Sequence, residues 1–101
     1  MSRGEQVTES QLSELCEQVE NHREDKDRLR ILKNVLRTEE FFFTVAQIAT
    51  IVPLLKFGDP KVEAAIALHS RLLDPSEDYG PVLDLFKFKE DKDTINAAIS
   101  S

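Results

Sequence analysis

Cysteine is almost absent: Cys16 stands alone among 101 residues, so no internal disulfide can form and the fold has to rest on noncovalent packing. A lone thiol fits a reducing compartment, and an intracellular, cytoplasmic location is the expectation. Glycine is scarce too, with three isolated residues, which leaves no glycine-rich loop to cradle a phosphate. No apolar run reaches the roughly 18 residues of a membrane span, and no signal-peptide hydrophobic region follows Met1. Positive charge is in deficit as well: 13 Lys and Arg against 19 Asp and Glu leave a formal charge of −6. A generic nucleic-acid surface is excluded on that balance, because phosphate binding needs a concentrated cationic field.

What the chain does have is apolar residues in regular order. At 41% hydrophobic content with six Phe, it can bury one modest core, so a single domain over residues 7–100 is expected, preceded by a flexible start at 1–6. Thr8 and Gln11 form a capping box with Val7 and Leu12 as its staple, and Leu12, Leu15, Cys16 and Val19 then share one helical face. A polar turn over 21–24 leads to a second helix with Leu29, Leu32, Val35 and Leu36 on its core side. The same entry device returns at Thr44 and Gln47, with Phe43 stapled to Ile48. Pro53 should kink or shorten the third helix.

Asp59 as cap and Pro60 at the first helical position predict the start of a fourth helix. Its apolar residues run from Val62 to Leu73, and Asp74 with Pro75 should end it. Tyr79, Gly80 and Pro81 precede a brief fifth helix, and a sixth is expected from Asp91 to about Ser100. Lys56, Phe57, Asp59 and Lys61 are echoed 31 residues later by Lys87, Phe88, Glu90 and Lys92. The run Glu24 to Asp27 is echoed 66 residues later by Glu90 to Asp93. Units of this length belong to helical repeat arrays, which predicts an all-α fold of five to six short helices arranged as three stacked αα-hairpins.

The ordered series Phe43 to Ile48, Leu55, Phe57, Lys61 to Leu68, Tyr79, Val82, Phe86, Phe88, Asp91 and Lys92 resembles the uncharacterised helical domain of unknown function 4476 over about residues 10 to 99. The resemblance implies a helical repeat fold and no established reaction, and it transfers no catalytic residue.

Chemistry is thinly represented. Cys16, His22 and His69 are the only soft or imidazole ligands, and their spacing matches no zinc or nucleophile motif. Asp25 with Asp27, and Glu90 with Asp91 and Asp93, suggest calcium, but an EF-hand register puts Leu29 and Arg30, or Ile95 and Asn96, at positions five and six. Helix-dipole complementation explains these acids better. No metal, cofactor or catalytic residue is assigned.

The expected function is a non-enzymatic protein-interaction or scaffold module that binds a partner helix or peptide, with a homodimer as one form of partner. Its candidate contacts are Phe41 and Phe42 with Tyr79 and Phe86 as an apolar groove. A basic face of Arg30, Lys33 and Arg37, beside Arg28, is the second candidate surface. Two alternatives are a calcium- or phospholipid-linked regulatory module and a small enzyme using His69.

Overall fold

The computed structural model describes residues 5–100 and is all-α: α1 (Glu9–Glu20), α2 (Asp25–Thr38), α3 (Val45–Ile51), α4 (Gly58–His69), α5 (Gly80–Leu83) and α6 (Lys89–Ile99). A 3-10 turn, Val52–Leu54, follows α3 and contains Pro53, so the expected shortening of the third helix is where the missing N–H falls. Both capping boxes are formed. The Thr8 hydroxyl accepts from the Gln11 N–H at 3.1 Å and the Gln11 side chain accepts from the Thr8 N–H at 2.9 Å. The Thr44 and Gln47 pair repeats this at 3.2 and 3.0 Å.

The boundaries of α4 and α6 differ from the sequence pattern. α4 begins at Gly58 with Phe57 as its cap residue, ahead of the expected Asp59 cap, and it stops at His69, short of Leu73. Helix hydrogen bonding cannot continue there, because the main chain of Arg71 to Leu73 is engaged by Phe43. The Phe43 N–H donates to the Arg71 carbonyl and the Leu73 N–H donates to the Phe43 carbonyl, each at 2.8 Å. Similarly, α6 begins at Lys89, two residues before Asp91, with Phe88 in the cap position. Of the expected flexible start, residues 1–4 lie outside the described residues, while Gln6 bridges to Phe42 and the Val7 N–H donates to the Phe42 carbonyl at 2.9 Å. The Phe42–Phe43 stretch thus threads between two extended segments as isolated bridges, and no strand is formed among the described residues.

The molecule measures 37 × 33 × 19 Å, and its thickness is that of two helix layers of about 10 Å each. α4 packs against both α2 and α6, α1 packs against α2, and α3 packs against α5, while the 3-10 turn meets α1, α3 and α4. Close packing within a hairpin is found in α1 with α2, whereas for the later helices the main contacts run along the layers. Phe43, Ile48, Ile51, Leu55, Leu68 and Ile95 are fully buried between the layers.

A cation ties each step of the row to the next. Arg28, the fourth residue of α2, donates to the Leu54 carbonyl at 2.6 Å. Lys61, the fourth residue of α4, donates to the Leu85 carbonyl at 2.8 Å. Leu54 and Leu85 stand 31 residues apart, the spacing of the Lys-Phe junctions that follow them. The Asp25 carboxylate adds bonds from the Lys56 N–H at 3.1 Å and the Phe57 N–H at 2.9 Å. These contacts bring the N-termini of α2, α4 and α6 to one edge of the slab.

Candidate functional site

That edge carries the exposed aromatic surface of the fold. Phe57 and Phe88 are 76% and 65% exposed, the two large apolar side chains that stand out in solvent among the described residues. Each occupies the cap position of its helix in extended conformation, so the side chain projects away from the helix it introduces. At Phe57 this depends on Gly58, whose φ of +55° lies in the left-handed region that other residues enter at a cost. The Asp25 carboxylate holds the same junction by accepting from the Phe57 N–H.

Between the two rings lies a groove of about 350 Å³. Leu85 and the buried Phe86 form its apolar floor, and Lys56, Lys61 and Lys87 stand around it with Asp91 as the single carboxylate. Lys61 has a structural share: besides its bond to Leu85, its ammonium sits 4.8 Å from the centre of the Phe86 ring. It therefore holds the floor of the groove against α4. Neither α4 nor α6 has a side-chain hydrogen bond at its cap; Asp59 in the first turn of α4 and Glu90 and Asp91 in that of α6 complement the two helix dipoles.

The residues singled out from the sequence are dispersed. Tyr79 is 5% exposed and Phe86 4%; the Tyr79 hydroxyl donates to the Ala65 carbonyl, and burial pushes its pKa well above the usual tyrosine range. Phe41 lies elsewhere, half-buried and edge-on to Phe43 at 6.5 Å. It closes a crevice of about 180 Å³ whose other walls, including Gln11, Glu14, Gln18 and Thr38, are mostly polar. Phe42 is half-buried under the Arg71 guanidinium, 5.8 Å from its ring centre. Of these four aromatics only Phe86 reaches the groove, and it does so as floor.

The basic face is internally paired. Arg30 meets Asp27 at 3.4 Å, Lys33 meets Glu63 of α4 at 3.7 Å, and Arg37 donates to the Asn34 side chain at 2.6 Å. Arg28 is half-buried and donates to the carbonyls of Glu20, His22 and Leu54. His69 lies edge-on to Tyr79 at 4.8 Å. Cys16 is half-buried, and burial, followed by the charge of Glu20, raises its thiol pKa. Among the described residues no three or more His, Cys, Asp or Glu side chains gather as a metal site. Among the described residues no helix is long and apolar enough to cross a membrane.

In the sequence Phe57 and Phe88 mark the repeat, each directly after a lysine of its own junction, but that pattern does not state which side chains face solvent.

A family model described as a domain of unknown function, DUF4476, matches residues 6–99. The chain belongs to the DUF4476 family. Comparison with curated proteins and with solved structures gave no match. The groove of this DUF4476 domain is consequently read from its own geometry. Several residues that carry the family resemblance, Phe57, Lys61, Phe86, Phe88 and Asp91, surround it.

Proposed function

We propose that this DUF4476 domain is a non-enzymatic protein-interaction module that binds a partner peptide or helix in the groove between Phe57 and Phe88. The observation that carries the reading is the exposure of both rings on one concave edge. A buried aromatic removes about 150–250 Å² from water, so leaving two such rings exposed forfeits stabilisation that packing elsewhere would supply. Two exposed rings flanking one apolar floor offer a binding surface. At about 350 Å³ the groove lies at the small end of ligand-pocket sizes, which suits a short segment anchored by side chains.

The test is selection from a random peptide library on the purified domain, repeated with Phe57→Ser/Phe88→Ser. Both side chains are exposed, so the variant should keep the wild-type circular dichroism spectrum and unfolding midpoint. A peptide consensus that the variant no longer enriches is the expected result. Enrichment unchanged by the double substitution would remove this groove as the binding site.

A further inference from the structure

We infer that the occupant of the Phe57–Phe88 groove is an acidic peptide segment, in which one or more bulky apolar side chains are flanked by carboxylates. This rests on the interaction-module reading and adds the chemistry of the partner. The groove combines two chemical demands. Phe57, Phe88 and the floor of Leu85 and Phe86 offer apolar and aromatic surface to side chains of the same kind. Among the lining residues three ammonium groups, of Lys56, Lys61 and Lys87, stand against one carboxylate, Asp91, while Asp25 on the Lys56–Phe57 backbone and Asp59 and Glu90 in the adjoining first turns lie outside the lining.

This local excess of positive charge sits on a chain whose formal charge is −6. The lysines that line the groove favour an acidic segment there, whereas the net charge of the chain as a whole disfavours one. A nucleic-acid strand also pairs negative charge with stackable rings, but its phosphates would continue beyond the groove onto the acidic body. A peptide ends its charge where the groove ends.

The rim lysines divide by role. Lys61 is held by the Leu85 carbonyl and the Phe86 ring and shapes the floor. Lys56 and Lys87 are exposed, and they are the groups that recognise the acids.

Isotope-labelled protein is titrated with three short synthetic peptides that share a Phe-Leu centre flanked by Glu, by Lys or by Ser. Amide shifts report the site, and affinities are measured at low and high salt. The Glu-flanked peptide should shift residues 56–61 and 85–91 and bind at least about tenfold tighter than the Lys-flanked one, weakening about tenfold as salt is raised. Lys56→Glu/Lys87→Glu should reverse the order of the two peptides while leaving the unfolding midpoint in place.

Equal affinity for all three peptides, or library-selected binders that depend on Phe57 and Phe88 but carry no acids, would overturn the inference and leave the interaction module standing. Concentration-dependent dimerisation with shifts in these same residues would overturn it in favour of a second copy as occupant. Absence of any groove-dependent binder, in the library and among the three peptides, would sink the inference and the module together.

Discussion

The Asp25 carboxylate accepts the backbone N–H of Phe57 at 2.9 Å and that of Lys56 at 3.1 Å, joining the first turn of α2 to the junction that begins α4. It satisfies two donors that precede a helix with no side-chain cap of its own, and it fixes the backbone from which Phe57 projects. Asp25→Ala should lower stability by about 1–2 kcal/mol in urea unfolding, with Asp25→Asn intermediate because one acceptor oxygen remains. The Phe57 amide should lose hydrogen-exchange protection in both variants. An Asp25→Ala protein of unchanged stability and protection would show that the bond is not made in solution.

Arginine geometry makes a second prediction. Arg28 gathers the carbonyls of Glu20, His22 and Leu54, and Arg71 gathers those of Leu36, Glu39 and Phe41 at the C-terminal end of α2. A lysine cannot reproduce either planar fork, so Arg28→Lys and Arg71→Lys should each cost about 1.5–3 kcal/mol. Arg30→Lys is the control: its pair with Asp27 is largely exposed, and its loss should stay within about 0.5 kcal/mol. Equal effects at all three positions would refute this division between arginines that gather carbonyls and one in an exposed ion pair.

Tyr79 offers a dependence on pH. Its folded-state pKa is raised by burial above the ordinary value of 10.0, so above that value the unfolded chain releases a proton that the folded chain retains. Stability contributed by the neutral hydroxyl is therefore complete below pH 10.0 and declines as the pH rises beyond it. Tyr79→Phe should cost about 1 kcal/mol at neutral pH through the lost bond to the Ala65 carbonyl. The difference between wild type and variant should shrink in alkali. A difference that grows with pH would contradict the buried, neutral tyrosine.

Cys16 should react slowly. Burial and Glu20 raise its thiol pKa, leaving less thiolate at any given pH, and the thiolate is the nucleophile. Iodoacetamide labelling followed by mass spectrometry should be several-fold slower in the native domain than in urea. A native rate equal to the denatured one would place Cys16 at the surface.

Much of the architecture is legible in local chemistry. Both capping boxes, the Pro53 shortening and the core faces of α1 and α2 are written in residues three or four positions apart, where spacing alone decides which side chains meet. The early end of α4 is different, since nothing between His69 and Leu73 breaks a helix. That boundary depends on Phe43, whose main chain takes the Arg71 carbonyl and Leu73 N–H. The tight N–H to carbonyl geometry of an extended pairing outcompetes one more helical turn.

The candidate site divides along the same line. Phe57 and Phe88 were visible as repeated letters, and Phe41, Phe42, Tyr79 and Phe86 were visible as surplus aromatics. A sequence does not state which ring faces water. Tyr79 and Phe86 are drawn between the layers, while Phe57 and Phe88 stay outside because each precedes its helix in an extended cap conformation. The sequence by itself determined helices, caps and the interval between Lys-Phe junctions, all of which depend on neighbours along the chain. Only the tertiary structure set those junctions side by side and turned two separate aromatics into a groove, because that proximity is created by packing α4 against α6.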